Sequence, residues 1–325
     1  MSSPFAGLEI DEALRPSARA VSFDLNKRLS SVLALEARIP EDAFTAKGLG
    51  VERIGNAVVI GEEGLVLTIG YLVTEAAEVT LILGDGRRVL AHVLGVDAAT
   101  GFGLVHALEP LGLPAIPLGD SRSLETQDVV ISAGGGGRPH SLTGRLLGRA
   151  PFSGYWEYHL DDALFVEPAH PHWSGAALIN AEGALVGLGS HRVEQRDSVG
   201  EVRPLNMFVP AELLPPILDD LARGRPASPP RPWLGVFAQE FEDQIHVLDV
   251  SPDGPAARAE IRRGDVVREI NGARVRDLET FYRTLWALGP PGVLAPLTLQ
   301  RGGDIFRVEI RTMDRASKLK KPRMN

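Results

Sequence analysis

From about residue 30 the chain is written in short apolar runs, SSVLALEA, NAVVIG, LVLTIG, EVTLIL, RRVLAHVLGV, FGLVHAL and DVVISA, each closed by glycine or another turn former. Runs of Val, Leu and Ile this short, punctuated by Gly61 to Gly64, Gly84 to Gly86 and LGLP, predict β-strands joined by tight turns. Helical spacing is nearly absent there. After the glycines at 134–137 the rhythm resumes with GRLLGRA, WEYHL, LFVEP, GAALIN and LVGLGS. Two similar stretches meeting near residue 120 predict a mostly β architecture of barrels or sandwiches rather than alternating β/α units.

The texture then changes. PAELLPPILDDLARG places Leu213, Leu214, Ile217, Leu218 and Leu221 at helical spacing, and RPASPPRP follows as a stiff proline-rich linker. Beyond it, strands (IHVLDV, DVVREING, APLTLQRG, DIFRVEIRT) mix with helices near PAARAEI and LETFYRTLWALG, which predicts a separate α+β module. The expected division is an extension over 1–28 with a short helix around Ile10 to Leu14, β halves over 29–222, a linker over 223–231, the α+β module over 232–315 and a basic tail over 316–325.

Composition narrows the function classes. At 325 residues the chain exceeds the usual single domain. Its 34 basic and 42 acidic residues give a formal charge of −8, which offers no general attraction to nucleic acid or anionic membranes. With no cysteine, disulfides, thiol nucleophiles and thiolate metal sites are excluded. Nothing in the pattern asks for a cofactor, and no apolar run is long enough to cross a bilayer. MSSPFAGLEIDEALRPSARA has acids where a signal peptide needs a basic start, so a cytoplasmic location is expected, or a periplasmic one if the true start lies elsewhere.

The chemistry centres on HWSGAALINAEGALVGLGS, which sets Ser174 in a tight small-residue turn before two strand-like runs. His170 and His172 lie just upstream in HPHWS. They read either as solvent-exposed loop histidines or as a base from the same loop, although a base must reach Oγ across a cleft and be oriented by a third group. As a metal site the pair lacks further ligands at recognisable spacing, so no metal is expected. GGGG at 134–137 is not a phosphate loop, since no Gly-Lys-Ser/Thr follows, and it reads as a flexible connection. GYWEYHL (154–160) reads as strand packing, with a rim for an apolar peptide as the alternative.

In matching order, three stretches resemble the HtrA (Deg) family of trypsin-like serine proteases with a C-terminal PDZ domain. NAVVIGEEGLVLTIGYLVTEAAEVTLILGDGRRVLAHVLGVD is similar to the family's first barrel, SGAALINAEGALVGLGS to its nucleophile turn, and WLGVFAQEF with HVLDVSPDGPAARAEIRRGDVVREINGARVRDLETFYRTL to its PDZ module. The resemblance implies a trypsin-like double β-barrel followed by an α+β PDZ domain. It also implies proteolysis, protein quality control and trimers formed through the N-terminal part of the protease domain, although residues 1 to 30 contain nothing that specifies a trimer.

Carried over residue by residue, the chemistry changes. Ser174 falls at the nucleophile position, but Tyr71 stands where the family has its general-base histidine and Gly101 where it has its aspartate. Asp97 is a displaced candidate for the latter. A serine hydroxyl needs a base to take its proton, and a phenol with an ordinary pKa of about 10 is not one near neutral pH. The family's oxyanion Gly-Asn-Ser is here His172, Trp173 and Ser174, and histidine at the glycine position would be strained at positive φ. In the PDZ module, Trp233, Leu234, Gly235 and Val236 match the loop that presents N–H groups to a C-terminal carboxylate, with FAQEF as the strand a peptide pairs with. The segment after FAQEF is short, and Glu260 replaces a glycine. The module either captures peptide or only docks on the barrels.

Two functions follow as expectations. One is a catalytically silent HtrA-like protein that binds polypeptides or protein C-termini. The other is an HtrA-type serine endopeptidase using Ser174 with a non-homologous base.

Overall fold

The computed structural model describes residues 4–196 and 200–320, so the end of the expected basic tail lies outside the described residues. The chain forms two units. One gathers the chain up to Ala150, Asp162–Ala227 and the chain from Lys320; the other gathers Pro151–Asp161 and Ser228–Leu319.

In the first unit, β1 (Val32–Arg38), β2 (Glu52–Gly61), β3 (Leu65–Ile69), β4 (Glu78–Ile82), β5 (Arg88–Val96) and β6 (Phe102–Ala107) close a barrel in the order β1-β2-β3-β6-β5-β4. A second barrel uses β7 (Val129–Ala133), β8 (Ser141–Gly154), β9 (Tyr158–Glu167), β10 (Ala177–Ile179), β11 (Leu185–Arg196) and β12 (Val202–Pro210), in the order β10-β11-β12-β9-β8-β7. The mostly β class read from the sequence is therefore correct. Closing both sheets leaves no unpaired barrel edge. Short helices α1 (Leu25–Leu29), α2 (Ala46–Leu49), α3 (Gly70–Val73) and α4 (Pro215–Ala222) decorate the barrels, and the helix expected near Ile10 is a single turn over Glu12–Leu14.

Three local readings need correction. The strand β12 went unseen because Pro204 and Pro210 bracket its apolar stretch and mask the strand signal. WEYHL is not one strand: β8 ends at Gly154 and β9 starts at Tyr158, which leaves Tyr155, Trp156 and Glu157 as the turn of a hairpin. Nor is the four-glycine segment a flexible connection. A Cβ on Gly135 would lie 2.2 Å from the Ala34 nitrogen, so the loop packs against β1 at a distance only glycine allows.

The second unit carries the sheet β14 (Val236–Phe241), β15 (Gln244–Val250), β16 (Val266–Ile270), β18 (Leu294–Arg301) and β19 (Asp304–Arg311) in that order, with β17 (Ala273–Arg274) beside β16. A small pair joins β13 (Pro232–Trp233) to β20 (Met313–Asp314). Glu242 and Asp243 both take positive φ (49° and 56°), the two-residue hairpin turn that makes the FAQEF to HVLDV connection so short. Glu260 likewise keeps a left-handed φ of 59° at the position where glycine was expected. Of the helices α5 (Pro255–Arg258) and α6 (Leu278–Trp286), the latter is capped by Asp277, whose carboxylate accepts from the Thr280 N–H at 2.6 Å. It buries Leu278, Phe281, Tyr282 and Leu285, one helical face, in a core with Leu234, Val236, Ile245 and Leu297.

Candidate functional site

Tyr71 lies on α3, the short helix that follows β3, and Ser174 lies in the turn before β10. Folding brings the two together. The Tyr71 and Ser174 hydroxyl oxygens are 2.6 Å apart, and the Tyr71 hydroxyl donates to the Ser190 carbonyl at 3.0 Å. Tyr71 has one hydroxyl proton, and a carbonyl can only accept, so Ser174 is the donor to the phenol oxygen. Burial pushes the Tyr71 pKa up to about 12, against the opposing pull of hydrogen bonds with Ser174 and Trp173. Near pH 7 only about one molecule in 10⁵ would then hold a phenolate able to take a proton. His191 stacks on Tyr71 with ring centroids 5.9 Å apart, and burial pushes its pKa down to about 4.

Position 101 carries no carboxylate. Gly101 adopts φ 84° and its carbonyl accepts from the Gly70 N–H at 2.7 Å. Asp97 is buried, and its Oδ2 accepts from the Thr100 N–H and hydroxyl, both at 2.8 Å. Its carboxylate closes the turn into β6 and does not orient a base.

His170 differs from both sequence readings, while His172 is half-buried. His170 is 0% exposed rather than a solvent-facing loop residue. Its Nδ1 accepts the His172 N–H at 3.0 Å, which fixes the neutral tautomer in which Nε2–H donates to the His140 carbonyl at 2.9 Å. Among the described residues Ser174 Oγ is hydrogen-bonded to Tyr71 and to no histidine or carboxylate. His172 avoids positive φ, so the expected strain is absent. The consequence is chemical: the N–H at the oxyanion-glycine position is spent on His170. His172 is itself covered by the N-terminal segment, stacked on Phe5 at 4.5 Å and bonded through Nε2 to the Leu8 carbonyl at 3.2 Å.

Burial pushes the His170 pKa down to about 4. An unfolded histidine takes its proton near 6.5, so this group's contribution to stability is complete above that pH and is lost as pH falls through 4. The shift corresponds to about 3 kcal/mol. His191 adds an effect of the same sign. Urea midpoints are expected to fall between pH 7.5 and pH 4, and His170→Gln should shrink that difference; an unchanged difference would contradict the neutral buried histidine.

Sequence reading missed Asn56, which joins the two barrels. Wholly buried, it donates through Nδ2 to the carbonyls of His172 (2.7 Å) and Ser174 (2.9 Å), while its Oδ1 accepts the Gly135 N–H at 2.8 Å. One amide thus holds the nucleophile turn and the four-glycine loop. A lone asparagine opening the apolar run NAVVIG was the available signal.

In the second unit Trp233 to Val236 form the turn between β13 and β14. Gly235 has φ 80°, and a Cβ there would meet the Trp233 ring at 3.0 Å, which explains why the loop takes glycine over a buried tryptophan. The N–H groups of Leu234, Gly235 and Val236 converge at 3.0, 2.7 and 3.0 Å on one carboxylate, that of Glu157. Trp233 packs beneath these donors. The GYWEYHL stretch therefore does not line the groove as a rim; its turn lies in it. Among the described residues no cluster suited to a metal ion occurs, and no helix is long and apolar enough to cross a membrane.

Two closed six-stranded barrels with a serine turn between them, joined in sequence to a sheet-and-helix module with a carboxylate cradle, define the class of trypsin-like peptidases with a PDZ domain. Residues 55–188 match the trypsin-like peptidase domain and residues 232–312 the PDZ domain. A periplasmic serine endoprotease DegP-like protein of Halomonas elongata is 27% identical over 288 residues, covering 83% of this chain and 58% of its own. Serine endoprotease DegS of Escherichia coli (strain K12) is 27% identical over 273 residues, covering 78% and 74%. The chain belongs to the HtrA family. Among solved structures, HtrA-type protease AlgW with decapeptide shares the fold at TM-score 0.52 and 20% identity, covering 92% of this chain and 99% of that one. The serine endoprotease from Yersinia pestis does so at TM-score 0.50 and 23% identity, covering 90% and 99%. The chain spans 58% of the DegP-like relative of Halomonas elongata and 60% of that of Pseudomonas fulva. Both are named periplasmic, which overturns the expected cytoplasmic location. The acidic composition of the opening residues speaks only for those residues.

Proposed function

We propose that this HtrA-family protein binds polypeptides in the periplasm without cleaving them, as a non-catalytic member of a protein quality-control family. The observation that carries the reading is the 2.6 Å contact between Ser174 Oγ and a tyrosine, not a histidine, at the base position. The missing carboxylate at Gly101 and the diverted His172 N–H support it. Hydrolysis needs a proton acceptor and oxyanion donors together, and this arrangement lacks the acceptor and diverts one of the donors. Binding needs less: a strand edge and a carboxylate cradle that a peptide can reach suffice. β14 has β15 as its sheet partner on one side, and the cradle precedes it.

Fluorescently labelled unfolded casein incubated with the protein is expected to be retained and to remain full length. Cleavage that disappears in Ser174→Ala would decide for the endopeptidase reading. For the groove itself, Gly235→Glu puts a side chain where a Cβ already meets the Trp233 ring at 3.0 Å. The variant should lose at least tenfold in affinity for C-terminal peptides while casein stays intact. Unchanged peptide affinity in a variant with wild-type circular dichroism would mean that the groove is elsewhere.

A further inference from the structure

We propose that the hairpin tip Gly154–Glu157 is an internal ligand of the PDZ groove, with the Glu157 side-chain carboxylate standing in for a C-terminal carboxylate that must displace it to bind. The inference rests on the reading of this groove as a peptide site and adds what occupies it. Two contacts of the tip follow the pattern of strand addition. The Glu157 carboxylate takes all three cradle donors, Leu234, Gly235 and Val236. Two residues upstream, the Tyr155 carbonyl accepts the Ala238 N–H of β14 at 2.8 Å. That N–H follows Val236 by two, the alternation with which a β-strand offers its donors to one neighbour.

The opposite wall joins in. Tyr282 of α6 donates its hydroxyl to the Gly154 carbonyl at 2.7 Å and accepts the Glu157 N–H at 3.3 Å. Arg283, next on the same helix, pairs with Asp161 just beyond the tip. Tyr155 lies against Phe237 of β14, ring centroids 6.1 Å apart, and Trp156 stacks on Tyr158 at 5.5 Å. The tip is thus held by the strand, cradle and helix that would grip a peptide.

It is also held at a cost that permits exchange. Glu157 takes a left-handed φ of 60°, a conformation that non-glycine residues adopt only when surrounding contacts impose it. Burial pushes its carboxyl pKa up to about 7, against the pull of the three N–H groups and of Arg315. A tethered ligand of this kind lowers the apparent affinity for any competitor by the fraction of molecules in which the groove is open.

Glu157→Ala in the full chain tests the proposal through two readouts. Amide exchange at Leu234, Gly235 and Val236 is expected to quicken about tenfold or more, with Glu157→Gln, which keeps the shape but turns an NH₂ toward N–H donors, in between. A fluorescein-labelled peptide ending Gly-Tyr-Trp-Val with a free carboxylate should bind Glu157→Ala about tenfold or more tightly than wild type, and its C-terminal amide should bind neither. Protected amides in Glu157→Ala, or equal affinity for both proteins, would overturn the internal ligand and leave peptide capture standing. Freed amides with no binding to either protein would instead overturn peptide capture, and displacement with it.

Discussion

A fluorophosphonate probe is expected to leave Ser174 unlabelled under conditions that label an active serine protease completely. Labelling requires the hydroxyl to lose its proton as the phosphorus is attacked, and the group that receives Ser174's hydrogen is a neutral phenol whose own proton is committed to the Ser190 carbonyl. With the Tyr71 pKa pushed up to about 12, the phenolate is too rare near neutral pH to replace a histidine. Loss of the base costs about six orders of magnitude in related serine hydrolases, with the oxyanion hole supplying what rate remains. Here the His172 N–H that would serve that hole donates to His170. Tyr71→His with Gly101→Asp should therefore restore a base without restoring full reactivity, since one missing oxyanion donor costs about 10²–10³ in turnover. Stoichiometric labelling of the wild-type serine, with turnover abolished in Ser174→Ala, would sink the non-catalytic reading.

Asn56→Ala should destabilise the first unit by about 2–6 kcal/mol. The substitution leaves the Gly135 N–H and the His172 carbonyl without their partner, and each orphaned buried group costs about 1–3 kcal/mol. The Ser174 carbonyl keeps the Asn56 backbone N–H at 2.8 Å and is less affected. Asn56→Asp should lose a comparable amount: one oxygen can still accept from Gly135, but the other would face two carbonyl oxygens. Urea denaturation at pH 7.5 measures both. An Asn56→Ala midpoint matching wild type would show that water or a shifted loop satisfies these groups. The same side chain holds the turn bearing Ser174 through the His172 and Ser174 carbonyls.

How much of this could be read from the residues differs between the two units. Strand periodicity and glycine punctuation pointed to two β halves and an α+β module, because those signals are local and repeat along the chain, while the barrels and the PDZ module were implied by the resemblance of the stretches around Ser174 and Trp233. That Tyr71 and Gly101 stand where the resembled family has its histidine and aspartate could likewise be read one position at a time. His170 could not, because its burial arises from the His140 and Asn206 segments, 30 and 36 residues distant. Nor could the role of GGGG, whose need for glycine comes from the distant Ala34 backbone.

Glu157 marks the same boundary. In the sequence it is one acid among aromatics in GYWEYHL, and the segment was read as packing. Its partners Leu234, Gly235 and Val236 lie nearly eighty residues further on, and hydrogen-bond convergence across such a separation leaves no periodicity in either segment. The residue types at successive positions are enough for the mostly β class, for its two kinds of domain and for the presence of tyrosine at 71 and glycine at 101. The partner of the Ser174 hydroxyl, the bond made by the His172 N–H and the group that fills the cradle of Leu234, Gly235 and Val236 come from folding, since each depends on polar atoms that only folding brings within hydrogen-bond distance.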